Sequence, residues 1–163
     1  MTSRESFLLM WGAEVEATKR VLGAVPDKNA DWRPHPKSRS ALELTAFVAG
    51  HAPVLAMLME TGEIRGGPAP TPGSIKEAAG VFTALLPRVD QALKTMDEQT
   101  WDTKMTTLYG PKGEVWQQLP MGGMIWSTLF DLIHHRGQLS TYLRPMGGKV
   151  PSIYGPSADD PGH

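Results

Sequence analysis

Two of the chain's five histidines stand side by side in Asp131-Leu-Ile-His-His-Arg-Gly-Gln138. On a helix, residues four apart share a face, so Asp131 and His135 can meet each other or hold one ion together. His134 is turned about 100° from His135 and cannot share that face equally. A third group comes from elsewhere. Around His51, residues Leu44, Phe47, Val48, Val54, Leu55 and Leu58 form one helical stripe, which puts this histidine in the middle of an apolar face. A buried imidazole needs a partner for each ring nitrogen, or a metal on one of them. Two imidazoles and a carboxylate are a workable ligand set for Zn, Ni, Fe or Mn, with positions left for water and substrate. The same residues also allow a plainer reading. His51 is then a hydrogen-bonded core residue, and Asp131 and His135 form a surface ion pair worth a few tenths of a kcal/mol.

The neighbours of the pair are equally specific. Ile125, Leu129, Leu132, Leu139 and Leu143 make a core stripe, and Thr128, Asp131, His135, Gln138 and Tyr142 make a polar stripe beside it. Polar residues that border a core line a groove or cavity, so Thr128, Gln138 and Tyr142 are candidate pocket residues. Arg136 falls toward the core, where an unpaired charge is costly, so it requires a carboxylate or carbonyl partner. His134 and Arg136 are assigned supporting or structural roles.

Four long amphipathic segments must position these groups. The first spans 4–22, with Phe7, Leu8, Trp11, Val15, Thr18 and Leu22 inward and Glu14, Glu16, Lys19 and Arg20 largely outside that stripe. A loop over 26–40 follows, its Trp32 directed at the core. Ser40-Ala-Leu-Glu43 is a capping box opening a second helix that runs to about Glu60 and breaks at Gly62. Gly66 to Gly73, with three prolines, is a connecting loop. Ser74-Ile-Lys-Glu77 is a second capping box, and the helix it opens contains Pro87, which predicts a kink near Thr83. Residues 98–120 read as a short hairpin or an extended loop, and the last helix covers about 122–144. The expected architecture is an all-α four-helix bundle with long loops and an irregular C-terminal tail, a single domain over 1–163.

Composition removes several classes of function. A net charge of -1 without a basic block argues against nucleic acid. The absence of cysteine excludes disulfides, thiolate metal sites and a cysteine nucleophile. No signal peptide is evident, and no stretch is read as approaching a membrane span, so no membrane partner and a cytoplasmic setting are expected.

Asp31-Trp-Arg-Pro-His-Pro-Lys-Ser-Arg-Ser40, Phe47-Val-Ala-Gly-His51, His134-His-Arg-Gly-Gln-Leu-Ser-Thr-Tyr-Leu-Arg144 and the run from Gly147 to Asp159 occur in this order. Together they resemble the DinB-like (damage-inducible) superfamily, which includes the YfiT-like metal-dependent hydrolases and the thiol S-transferases. The resemblance implies a four-helix bundle and a metal held by one histidine of the second helix and a His-x-x-x-His pair of the fourth. Those positions are His51, 131 and His135, and position 131 is Asp here. The departure makes Asp131 either a third ligand, which favours Fe, Mn or Ni, or the mark of a degraded site. The implied function is transfer of a low-molecular-weight thiol, as cosubstrate, to a small-molecule electrophile. The alternatives are a metal-dependent hydrolase and a non-catalytic stress-related binding protein. A homodimer is expected from the family and from the apolar helix surface.

Overall fold

The computed structural model describes residues 1–67 and 72–162. Part of the expected 66–73 loop therefore lies outside the described residues, as does His163. Helix α1 is Ser3–Ala24, opened by a full capping box between Thr2 and Glu5. α2 is Ala41–Ala49 and α3 is His51–Thr61. Strand β1 is Glu63–Arg65, α4 is Ile75–Thr95 and α5 is Glu98–Thr103. β2 is Met105–Tyr109, β3 is Val115–Pro120 and α6 is Met121–Tyr142.

Four helical columns carry the core: α1, α2 with α3, α4, and α6. The α2–α3 column packs on α4 and α6, and α1 also packs on α4 and α6. The first two columns thus face each other across the bundle, and the chain between them crosses it through residues 25–40. Phe7, Leu44, Leu55, Phe82, Ile125 and Leu132 are almost wholly buried between the columns. Trp32 of the crossing loop packs edge-on to Tyr142, with ring centroids 5.1 Å apart.

Three expectations need correction. The fold is not purely helical. Strands order as β1-β2-β3, with β1 parallel to β2 and β2 antiparallel to β3. The hairpin reading of 105–120 is thus the correct one, and α5 and β1 are additions. A three-residue strand carries too little periodicity to be read alone. Second, the helix over 40–60 is interrupted at Gly50. Pro53 has no N–H for the carbonyl of Ala49, and Gly50 tolerates the break. Third, Ala41–Thr61 is long and apolar enough, by length and composition, to cross a membrane. Here its apolar residues serve the core: Leu44, Val48, Leu55 and Leu58 are buried against the other columns.

The capping boxes differ in detail. At Ser40 both arms form: Glu43 N–H donates to the Ser40 hydroxyl and Ser40 N–H to the Glu43 carboxylate. At Ser74 the serine arm forms, but Glu77 accepts from Gly73 N–H instead. α4 continues through Pro87 as one helix.

Candidate metal centre

His51 sits in the first turn of α3, just beyond the break at Gly50. Its Nδ1 lies 3.1 Å from the carbonyls of both Phe47 and Val48. Carbonyl oxygens only accept, so Nδ1 carries a proton. The same ring turns Nε2 toward α6, 3.0 Å from Asp131 Oδ2. The other oxygen, Oδ1, lies 3.3 Å from His135 Nε2. One carboxylate therefore stands between two imidazoles from different helices.

His135 repeats the pattern of His51. Its Nδ1 is 2.9 Å from Gln138 Oε1, again an acceptor, so Nε2 is the nitrogen presented inward. The amide Nε2 of Gln138 in turn donates to His134 Nε2 at 2.9 Å. His134 is exposed and its ring lies 4.8 Å from that of His135. Phe47 presses edge-on against both site imidazoles, at 5.5 and 4.6 Å between centroids. The Arg39 guanidinium covers Phe47 at 4.2 Å. His51 and His135 side chains are 6% and 14% exposed, whereas that of Asp131 is 50% exposed. The centre is closed by protein on the histidine sides and open at the carboxylate.

The Asp131 carboxyl is held below the ordinary aspartate value. The hydrogen bond with His51 is the main cause, the charges of His51, His135 and His134 add to it, and partial burial opposes it. The donor set suits a divalent cation: two imidazole nitrogens and a carboxylate oxygen, with each imidazole oriented through its other nitrogen. With Nδ1–H on both rings, Nε2 and carboxylate oxygen face each other as acceptors. Such a contact is stable only with a proton on Nε2 or a cation shared between the groups. Among the described residues, however, no three His, Cys, Asp or Glu side chains are gathered as a ready metal cage. The donor types are those a cation would take, and the arrangement itself is a hydrogen-bonded relay.

The other candidate residues take different places. Thr128 is buried and donates back to the carbonyl of Met124. The Tyr142 hydroxyl donates to the carbonyl of Arg39, which fixes the loop entering α2. Gln138 is exposed and serves the two adjacent histidines. Two clefts, of about 380 and 170 Å³, lie between α1 and α4 and are lined by none of these residues.

Arg136 is buried against Glu14 of α1, and both are 1% exposed. The placement of Glu14 outside the first helix's stripe is therefore corrected. Glu14 is seven residues from Phe7 and three from Trp11, which returns it to the inner face. The Tyr154 hydroxyl from the C-terminal tail completes the cluster. It accepts from Arg136 at 2.6 Å and donates to the Glu14 carboxylate at 2.9 Å. No local pattern marked Tyr154, because the segment that carries it has no helical or strand period. Phe47 was legible only as an apolar residue.

Comparison with known proteins agrees with this architecture. The sequence profile described as the DinB superfamily matches residues 12–139. An uncharacterized protein, YrdA, of Bacillus subtilis (strain 168) is 27% identical over 161 residues, covering 96% of this chain and 90% of that protein. The crystal structure of a DinB-like protein from Bacillus cereus superposes with a TM-score of 0.73 at 22% identity, over 92% of this chain and 97% of that one. A second, YjoA of Bacillus subtilis, gives a TM-score of 0.63 at 16% identity, over 90% and 93%. At these identities the two structures establish the fold.

Proposed function

This chain belongs to the DinB superfamily, and from that premise we propose that it is a divalent-metal-dependent S-transferase using a low-molecular-weight thiol. The observation that carries the reading is the inward presentation of two Nε2 atoms to one carboxylate. His51, Asp131 and His135 would hold the cation. A bound divalent metal supplies thiol acidity, making thiolate available at neutral pH. The chain's own residues do the rest. The carbonyls of Phe47 and Val48 keep Nε2 of His51 inward. Phe47 shields both imidazoles from water. The half-exposed side of Asp131 leaves the approach for thiol and electrophile open. The protein supplies no cysteine, so the sulfur must arrive with the cosubstrate. A cytoplasmic setting, where small thiols are kept reduced, suits such a reaction.

The test begins with protein purified without a nickel column. Calorimetric titration with Zn, Ni and Mn is expected to show one site, and His51→Ala, Asp131→Ala and His135→Ala should each weaken it. No uptake by the parent protein overturns the metal reading. Monobromobimane is then supplied as electrophile. Conjugation that requires both metal and an added thiol supports transfer. Turnover of an ester without thiol assigns a hydrolase instead. Metal uptake with neither reaction assigns a binding role.

A further inference from the structure

A helix face turned to solvent ordinarily carries charge. α1 does so with Glu5, Glu16 and Arg20, and α4 with Lys76, Arg88 and Lys94, all exposed. α6 is different. Every residue within about 60° of Phe130 on its wheel, from Gly123 to Thr141, is something other than Asp, Glu, Lys or Arg. Phe130 itself is 61% exposed and stacks on Trp126, with ring centroids 5.6 Å apart. Met10 of α1 extends the apolar area. It lies on the same stripe as Ser3, which accepts from the Trp126 indole, and Glu14, which pairs with Arg136, and it is about half exposed. The largely exposed ring of Tyr154 adds to it beside Arg136. Contiguous apolar surface of this kind marks a contact site. One position on the stripe is a gap: a Cβ at Gly137 would meet nothing within 4 Å. Glycine is a poor helix former, and no described residue uses the space it leaves.

We propose that a second copy of this chain docks on this face, α6 against α6 and antiparallel, with Phe130 of each copy seated over Gly137 of the other. Protrusion and gap belong to one stripe. Seven residues separate them, about 10.5 Å along the axis and about 20° in rotation. A twofold axis crossing α6 midway, between Ile133 and His134, therefore exchanges the two positions. Such self-complementarity is what a closed pair of identical subunits requires. The missing charge points to the same occupant. A residue close to a twofold axis meets its own copy, so a Lys, Arg, Asp or Glu there would face a like charge across the contact. The α6 stripe alone, roughly 30 Å by 10 Å, falls short of the ~800 Å² per partner that a stable dimer buries. Met10 and Tyr154 widen it on the α1 side, which is where the added area is needed.

Light scattering on the full chain over a concentration series gives the mass and the dimer Kd. The parent is expected at twice the mass of one chain. Phe130→Glu brings charge into the contact and should raise Kd by about 30-fold or more, the size of losing a central interface residue. Gly137→Leu fills the gap. The single chain has room for that side chain, so its thermal transition should be kept while the dimer is lost. Leu9→Glu alters an exposed apolar residue turned about 100° from Met10 and should leave the mass unchanged. The chain has no cysteine, so one introduced thiol reports its neighbours cleanly. On oxidation with diamide, His134→Cys should cross-link to its own copy. Thr141→Cys should not, because its two copies lie roughly 22 Å apart along the pair, far beyond disulfide reach. A parent that stays monomeric on concentration overturns the proposal and leaves the face to a different partner. A dimer that withstands both Phe130→Glu and Gly137→Leu overturns it as well, and so does one that cross-links through Thr141→Cys and not through His134→Cys.

Discussion

Asp131 links two helices, His51 of α3 on one oxygen and His135 of α6 on the other. As a carboxylate it offers one oxygen to each imidazole, which a single histidine ring cannot do with the same geometry. On the proposed metal reading, Asp131→His converts the donor set to three imidazoles and should shift preference toward zinc and away from manganese, read by competitive titration of the two ions. Glu14 and Arg136 raise a separate question of stability. Both are fully buried, and the pair is hydrogen-bonded to the Thr18 and Tyr154 hydroxyls as well as to each other, while Arg136 Nε has no hydrogen-bond partner among the described residues. Removing one partner leaves an uncompensated charge in the interior, so Glu14→Ala should cost about 3–5 kcal/mol in denaturant unfolding. Tyr154→Phe keeps the ring and loses only the hydroxyl's bonds, at about 1–3 kcal/mol. A Glu14→Ala protein as stable as the parent would show that the pair does not hold the tail and the bundle together.

Elements meet at points where one residue decides the fit. α6 starts directly after β3, and Gly122 in its first turn lies against the indole of Trp101 from α5. A Cβ at Gly122 would overlap that buried ring, so Gly122→Ala should destabilise by about 1–3 kcal/mol and lower the midpoint of thermal unfolding. Arg4 of α1 closes the end of α4 by donating to the carbonyls of Leu93 and Lys94, each at 2.9 Å. The tail over 149–162 is tied down by Asp159, which accepts from Val150 N–H and from Arg144. These bonds, that of Val150 first, hold the Asp159 carboxyl below its ordinary value. A lowered carboxyl stabilises the folded form above its unfolded value, about 3.9, and loses that contribution as pH falls through the folded one. Hydrogen exchange of residues 150–160 should therefore differ between Asp159→Asn and the parent at pH 6. The difference should vanish in strong acid. A difference that persists there would assign the tail's anchoring to other groups.

At the scale of the molecule, periodicity made the helical columns, the capping residues Ser40 and Ser74, the buried face of His51 and the shared helix face of Asp131 and His135 legible. These follow from the sequence because helical geometry repeats every few residues, and each wheel can be drawn without its neighbours. Residue type alone likewise required a partner for Arg136, since no charge is buried free of cost. Other features needed the assembled chain. β1 pairs with a strand some forty residues away, and its pattern is too short to declare itself. Ala41–Thr61 has the composition of a membrane span, and its packing against α4 and α6 is what makes it a core column. Tyr154 reaches Glu14 across most of the sequence, and no local rule specifies that contact. The relay shows the division most clearly. The spacing of Asp131, His134, His135 and Gln138 determined that they share neighbouring faces of one helix. Only the tertiary structure brought His51 to the same carboxylate, since the other partners of the two rings lie three or four residues away in sequence. That one hydrogen bond depends on the distance between atoms of two elements, α3 and α6, and a one-dimensional pattern does not contain it.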